Sequence, residues 1–192
     1  FAQKSGVEKI NLHLFSDGKD SPPQSILPLV AKLDSAVHLN SGGLQLGTLS
    51  GRYYAMDRDQ HWERTQQVYD ILWGRGALAA GLKEHVDSQY QKGLSDEFIE
   101  PAIISPEHCI KEGDAVIFFN YREDSIRQIA SLFAAAPLKN IYLGAMTQYM
   151  EKFKAHIFFP PEKIEKPLGV VLADNGKRQL RVAETEKYAH VT

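Results

Sequence analysis

The nine residues from Gly51 to Asp59 (GRYYAMDRD) place two arginines and two aspartates beside a pair of tyrosines. A guanidinium group is a planar fork of donors that matches two oxygens of a carboxylate or phosphate at once. Two such groups on one loop, Arg52 and Arg58, therefore suit a small ligand that carries two negative charges. A solvated loop with local ion pairs to Asp57 and Asp59 is the alternative, because exposed ion pairs are common and weak.

Two further loops carry charged side chains directly after a predicted strand. Lys19 and Asp20 follow a strand over residues 7–15, and Arg122 follows a strand over residues 115–120. Open α/β sheets bind their ligands at the carboxyl ends of the strands, so these side chains are candidates for one shared site. For Lys19 and Asp20, an ordinary Asp-Gly turn without chemistry remains an alternative.

The elements that position these loops follow from the spacing of apolar residues. We expect strands over residues 7–15, 44–50, 98–104, 115–120, 140–144, 156–159 and 178–182. We expect helices over residues 24–34, 61–73, 77–92 and 125–136, and a further helix that Pro161 opens and Gly176 closes. Strands and helices that alternate in this way predict the α/β class, with a three-layer α/β/α sandwich around a largely parallel or mixed sheet.

Two strands have predicted positions in that sheet. Residues 115–120 (AVIFFN) are apolar on both faces, so we expect this strand in the centre. Residues 98–104 contain Pro101, which suits an edge strand. Trp62 and Trp73 are interpreted as core anchors rather than as rings that stack on a ligand.

Helix-capping residues are predicted at two places. Ser21 followed by Pro22 is typical of a helix N-cap and first helical residue. Asp124 or Ser125 is expected to cap the helix over residues 125–136.

Composition and charge exclude several classes of protein. The 192 residues suffice for one domain with a hydrophobic core, and contents of 43% hydrophobic and 24% charged residues are typical of globular proteins. A net charge of -2 gives no general attraction to nucleic acid or anionic lipid, so neither nucleic acid nor a membrane is expected as a partner. The single cysteine, Cys109, and the lack of an apolar run of about 20 residues predict a soluble, cytoplasmic protein.

Five separated stretches, spread along essentially the whole chain, together resemble one enzyme family. They are LFSDGKDSPP, SGRYYAMDRD, AVIFFNYRED, FPPEK and AETEKYAHVT. In this order they resemble the 2,3-bisphosphoglycerate-independent phosphoglycerate mutases of the alkaline phosphatase superfamily. The resemblance implies a two-domain enzyme, in which a phosphatase-like domain carries a serine nucleophile and two divalent metals, manganese or magnesium. An inserted transferase domain holds the glycerate, and this chain resembles that domain.

The resemblance implies roles for residues that match the family's motifs. Arg52 and Arg58 match arginines that bind the phosphate and carboxylate of the substrate, and Arg122 matches the first arginine of a pair that also holds it. Asp20 matches the aspartate that exchanges protons with the glycerate hydroxyls. Lys187 matches a lysine beside the phosphoserine, near the crossover between domains. Asp20 and Lys187 are therefore the catalytic candidates.

Two positions depart from the family's pattern. Lys19 stands where an arginine is usual, which keeps the positive charge but loses the bidentate fork. Ser125 stands where the second arginine of the Arg122 pair is usual. Arg127 is a possible substitute for it, although it also matches a position that is commonly arginine. Lys19 and Arg127 are therefore included among the substrate-binding candidates.

The resemblance also implies which parts lie elsewhere. We expect residues 1–192 to be one transferase domain from a longer enzyme, with residues 184–192 beginning the connection back to the phosphatase-like domain. The nucleophile and both metal sites would then lie outside this chain, and the domain itself would bind no metal. Two alternatives stay open: a related phosphomutase or phosphatase that acts on another small phosphorylated acid, and a free-standing anion-binding module.

Overall fold

The computed structural model describes residues 2–37, 44–136, 140–162 and 164–183, and within these ranges it contains both parallel and mixed sheets. The α/β class is thereby confirmed. The strands are β1 (Ile10–Ser16), β2 (Leu44–Gly51), β3 (Ala102–Ile103), β4 (Ala115–Phe118), β5 (Tyr142–Ala145) and β6 (His156–Ile157). The helices are α1 (Ile26–Val37), α2 (Arg52–Ala55), α3 (Trp62–Leu72), α4 (Leu82–Gln91), α5 (Arg127–Ala135) and α6 (Leu168–Asp174).

The first sheet has the order β1-β2-β3, and the loop from Gly51 to Asp59 follows its strand β2. Strands β1 and β2 run parallel, from the pair Ile10 and Leu44 to the pair Ser16 and Gly51. Strand β3 pairs antiparallel with β2 and forms one edge, as predicted for this segment. β2 is the central strand and is buried along almost its whole length.

The second sheet consists of the parallel strands β4, β5 and β6, in that order. The prediction that residues 115–120 form a central strand is wrong, because β4 lies at one end of this order. Phe118 is buried, whereas Ile117 and Phe119 point to solvent. Apolar residues on both faces suggested a doubly covered strand, but the described elements cover only one of these faces.

The main core joins the second sheet to helices α2, α3 and α5. Phe133 on α5 packs edge-on against Phe118, with the ring centroids 5.2 Å apart. Tyr149 donates a hydrogen bond to the carbonyl of Phe118 at 3.1 Å. Trp73 packs against this core as predicted, but Trp62 is 45% exposed and lies outside it, so its interpretation as a core anchor is wrong.

Helix α1 begins later than predicted, at Ile26, and Ser21 does not cap it. The hydroxyl of Ser21 instead accepts a hydrogen bond from the amide of Gly18 at 3.1 Å. The carboxylate of Asp96 accepts from the amide of Ile26, the first residue of α1, which lies 70 residues away in the chain, and from the amide of Ser25 just before it. A cap supplied from that distance leaves no local pattern in the sequence.

Three predicted boundaries or elements near the other helices also change. Helix α4 begins at Leu82 rather than at residue 77, because the backbone of residues 77–79 is hydrogen-bonded to Ile103. Helix α6 begins after Pro167 rather than at Pro161, because a proline disfavours the helical conformation in the residue that precedes it. It ends before Gly176, which has the left-handed φ of +67°. The strand predicted over residues 178–182 is wrong: the segment is irregular.

The buried position of His13 on β1 leads us to expect that the folded protein loses stability in mild acid. Its Nδ1 lies 3.0 Å from the hydroxyl of Thr48, and burial lowers the pKa of its ring to about 4. The unfolded chain therefore takes up a proton below about pH 6.5 that the folded chain resists. We expect the free energy of unfolding to fall by about 2–3 kcal/mol between pH 7 and pH 4.5.

Urea unfolding at these two pH values measures the effect. His13→Gln should remove most of the difference, whereas the exposed His156→Gln should leave it unchanged. An equal pH dependence in the wild type and His13→Gln would contradict the assignment.

Candidate functional site

The parallel pairing of β1 and β2 brings two charged loops side by side. Ser16 and Gly51 are partners at the ends of these strands, so the next residues, Asp17 and Arg52, start as neighbours. Arg52 is also the first residue of α2, which turns the chain away from the sheet. These charged side chains therefore lie at the carboxyl ends of parallel strands, where open α/β sheets place their ligands.

Arg52 is held between two carboxylates of the first loop. Its Nη1 donates hydrogen bonds to Asp17 and, at 2.8 Å, to Oδ2 of Asp20. The side chain of Arg52 is only 15% exposed, whereas that of Asp20 is 73% exposed. Burial opposes ionisation of Asp17, but the hydrogen bonds from Arg52, the amide of Asp20 and Ser21, together with the charge of Arg52, outweigh it and lower the pKa of this carboxyl. Two predicted residues thus meet directly, and Asp17 joins them.

Asp124 organises the second group of charges. Its side chain is 1% exposed and accepts from Nη1 of Arg58 at 2.9 Å. Arg122 binds it as a fork, with Nε donating to Oδ1 at 2.6 Å and Nη2 to Oδ2 at 2.9 Å. The hydroxyl of Ser125 adds a fourth bond at 2.9 Å. Burial opposes ionisation of Asp124, but these hydrogen bonds, with that from Arg122 the largest, hold its pKa far below the usual range.

The predicted capping role of Asp124 and Ser125 is therefore wrong. The residue before α5 is Ile126, and no side chain caps the helix. Asp124 binds the arginines instead, and the hydroxyl of Ser125 donates to Asp124.

The two groups lie close enough for their charges to interact. The pKa of Arg122 is raised, first by its hydrogen bond to Asp124 and also by the charge of Asp20, while the charge of Arg52 acts in the opposite direction. We call Arg52, Arg58 and Arg122 the arginine cluster. Each of its guanidinium groups is bound by a carboxylate, and those of Arg58 and Arg122 remain partly open to solvent. Such a cluster can bind an anion that competes with the internal carboxylates.

Two other predicted residues, Lys19 and Arg127, are not part of this cluster, and a third is not described. Lys19 is exposed and forms an ion pair with Glu97 at 3.7 Å. Arg127 donates from Nε to the carbonyl of Tyr149 at 3.0 Å and pairs with Glu123 at 3.4 Å. Lys187 lies outside the described residues. Arg127 is thus engaged away from Asp124.

Asp57, which the sequence suggested only as a local ion-pair partner of Arg52 or Arg58, supports the loop of Arg58 from a buried position. Asp57 accepts from Nδ1 of His61 at 2.9 Å and from Arg64 at 3.2 Å. The guanidinium of Arg64 lies 3.9 Å from the ring centroid of Tyr53. The four-residue spacing of Asp57 and His61 was the only local signal for this contact. The loop that carries Arg58 is therefore anchored one residue before it.

The charged side chains of the described residues do not form a metal site. Across the described ranges, no group of three or more His, Cys, Asp or Glu side chains is arranged to hold a metal ion. The carboxylates of the cluster face guanidinium groups instead, which does not fit a divalent-metal site. None of the described helices is long and apolar enough to cross a membrane.

The chain is similar to known proteins along its full length. Residues 1–156 match the family described as BPG-independent PGAM N-terminus (iPGM_N). The 2,3-bisphosphoglycerate-independent phosphoglycerate mutase 1 of Methanosarcina barkeri is 42% identical over 206 residues, which cover 100% of this chain and 40% of that protein. The 2,3-bisphosphoglycerate-independent phosphoglycerate mutase of Pseudomonas fluorescens is also 42% identical, and the match covers 100% of this chain and 39% of that protein. The chain thus spans about 40% of the length of these curated relatives.

A solved structure has the same fold. Phosphoglycerate mutase of Leishmania mexicana, crystallised at low cobalt concentration, superposes with a TM-score of 0.82 at 22% identity. The match covers 100% of this chain and 39% of that one. From the family match and the relatives together, the chain belongs to the family of 2,3-bisphosphoglycerate-independent phosphoglycerate mutases, where it corresponds to the N-terminal part.

Proposed function

We propose that this chain is the substrate-binding domain of an enzyme that interconverts 3-phosphoglycerate and 2-phosphoglycerate through a phosphoserine in another domain. The observation that carries the proposal is the arginine cluster, in which Arg52, Arg58 and Arg122 come together from two loops. A phosphoglycerate has a phosphate and a carboxylate, and three convergent guanidinium groups suit two such anions.

In the proposed mechanism the arginines hold the glycerate while its phosphoryl group is on the serine. Positioning of this kind converts the return transfer into an intramolecular step and prevents loss of the intermediate. Asp20 then exchanges protons with the glycerate hydroxyls, because its exposed carboxylate lies beside Arg52 and is accessible to a bound substrate. Lys187 is proposed to act beside the phosphoserine.

The internal carboxylates have different proposed roles. Asp124 is buried and bound by four donors, so it keeps Arg58 and Arg122 in place whether or not substrate is present. Asp20 is exposed and interacts with Arg52 through one oxygen, so a substrate anion can displace it at low cost. Substrate binding would thereby release Asp20 from the guanidinium and leave it free to exchange a proton.

The rest of the enzyme is proposed from the family resemblance. Residues 1–192 form one transferase domain, and residues 184–192 lead to a phosphatase-like domain of the same chain. That domain supplies the serine and two divalent metals, manganese or magnesium, and the enzyme acts in glycolysis and gluconeogenesis in the cytoplasm. Proton transfer and substrate binding are the tasks of the residues described above.

Kinetics of the full-length protein on several phosphorylated acids test the substrate. We expect 3-phosphoglycerate and 2-phosphoglycerate to be the best substrates. A related phosphomutase or phosphatase is the second candidate, because the buried Ser125 supplies no guanidinium where the family usually has one. Poor turnover of both phosphoglycerates beside rapid turnover of another phosphorylated acid would favour that candidate.

The isolated 192-residue chain is expected to show no mutase activity, because the proposed nucleophile and metals belong to the other domain. Its affinity for 3-phosphoglycerate should be weak, with a Kd of about 1 mM or above, since half of the pocket is missing. Calorimetric titration and a coupled mutase assay measure both quantities. Tight binding without activity would support the free-standing anion-binding module instead.

A further inference from the structure

Asp96 is a buried carboxylate held by uncharged donors. It is 1% exposed and lies in the short 3-10 turn Asp96–Phe98. Its Oδ2 accepts from the amide and hydroxyl of Ser25, at 2.7 and 3.0 Å, and from the amide of Ile26 at 2.8 Å. Its Oδ1 accepts from the hydroxyl of Tyr90. Burial and this hydrogen bond raise the pKa of Tyr90, so the phenol remains a donor at neutral pH.

The backbone of Asp96 ties down the same loop from its other side. Its amide donates to the carbonyl of Pro23 at 2.7 Å, and its carbonyl accepts from the hydroxyl of Ser16 at 2.7 Å. Ser16 ends β1, and Ser25 directly precedes α1. One residue therefore fixes the beginning and the end of the loop over residues 17–25, which carries Asp17 and Asp20.

The middle of this loop, at Gly18, packs against the Asp96–Phe98 turn. Gly18 has a left-handed φ of +65°, and a Cβ there would lie 2.8 Å from Cβ of Asp96 and 2.6 Å from the amide nitrogen of Glu97. The same turn borders the start of α2, because the amide of Gly51 donates to the carbonyl of Ile99 at 2.8 Å. The turn thus contacts both loops that meet at Arg52.

We propose that Asp96 is a positioning residue for catalysis, which fixes Asp17 and Asp20 in register with Arg52. This role rests on the proposed function, since it supposes that Asp20 and Arg52 act on the substrate. Asp96 itself is too deeply buried to touch a substrate. An amide at this position would replace the carboxylate's charge-assisted hydrogen bonds with weaker neutral ones. With its oxygen toward Ser25 and Ile26, its NH₂ group would face the Tyr90 hydroxyl, which would have to accept instead of donate.

The test compares Asp96→Asn with Val86→Ala in the full-length enzyme. Val86 is fully buried on α4 and packs in the same small core as Ile26 and Ile99. Its truncation weakens that packing but removes no hydrogen bond from the loop. Tyr90→Phe provides a milder variant that removes one of the four donors.

Two readouts are needed, at temperatures where every variant is folded. Amide hydrogen exchange over residues 17–21 should accelerate in Asp96→Asn relative to Val86→Ala. The kcat/KM for 3-phosphoglycerate should fall about tenfold to a hundredfold in Asp96→Asn, because small misplacement of catalytic groups has effects of this size. Tyr90→Phe should fall between Asp96→Asn and the wild type, and Val86→Ala should remain within about twofold of the wild type.

Equal exchange and equal kcat/KM in Asp96→Asn and Val86→Ala would overturn the proposal, since Asp96 would then be purely structural. Faster exchange with unchanged kcat/KM would also overturn it. If the wild type turns over no phosphoglycerate, the proposed function fails. The exchange experiment then still decides whether Asp96 positions the loop.

Discussion

Replacing Arg52 by alanine in the full-length enzyme is expected to lower kcat/KM for 3-phosphoglycerate about a hundredfold. Arg52 is proposed to bind the substrate, and a hydrogen bond between charged groups contributes about 1.5–3 kcal/mol. The loss of two such bonds accounts for at least a hundredfold. In addition, Asp17 and Asp20 would lose the cation between them and would repel an anionic substrate.

Two matched variants sharpen this prediction. Arg52→Lys retains a positive charge between the carboxylates but not the planar fork, so we expect it to recover part of the lost kcat/KM. Arg75→Ala removes an exposed arginine that pairs with Asp70 at 3.0 Å, away from the cluster, and should behave as the wild type. Steady-state kinetics of all three variants provide the measurement. Wild-type kinetics in Arg52→Ala would refute the assignment of the site.

Replacing Asp124 by alanine is expected to lower the free energy of unfolding by about 2–3 kcal/mol at pH 7. The carboxylate is buried and accepts four hydrogen bonds, so its removal leaves the hydroxyl of Ser125 and the guanidinium groups of Arg58 and Arg122 without this acceptor. The effect lies below that of a fully buried ion pair, because both arginines keep partial contact with water. The kcat/KM should fall as well, since two arginines of the cluster lose their orientation.

Urea denaturation of Asp124→Ala measures the loss, and Asp87→Ala is its control. Asp87 forms an i,i+4 surface pair with Lys83, and such pairs contribute about 0.5 kcal/mol or less. A similar small change in both variants would mean that Asp124 does not organise the arginines.

The pH dependence of the stability of Asp124→Ala and of the wild type provides an independent check. The pKa of Asp124 is lowered in the folded state, so its stabilising effect is complete above the ordinary carboxyl pKa of about 4. It is lost as the pH falls further and the unfolded chain binds a proton that the folded chain resists. Between pH 4 and pH 2, Asp124→Ala should therefore lose less stability than the wild type. A parallel decline would contradict the assignment.

The predictions from sequence succeeded where the signal is local. Strand β2 and helix α3 were located to within one residue at each end, because their apolar spacing reflects the face that packs inward. The start of α1 and the position of β4 were predicted wrongly, since a distant carboxylate caps the one and the pairing of other strands decides the other. Neither contact is encoded within a few residues of the element it affects.

By itself, the sequence determined the α/β class, the family, and the placement of charged loops after strands. The tertiary structure decided which charges meet. Asp124 accepts hydrogen bonds from both Arg58 and Arg122, and Arg52 donates to both Asp17 and Asp20. The physical reason is that ion pairing depends on distance in space, and these partners lie up to 66 residues apart in the chain. The loop GRYYAMDRD supplies Arg52 and Arg58, but Asp17, Asp20 and Asp124, which orient them, follow other strands that only the folded sheets bring near this loop.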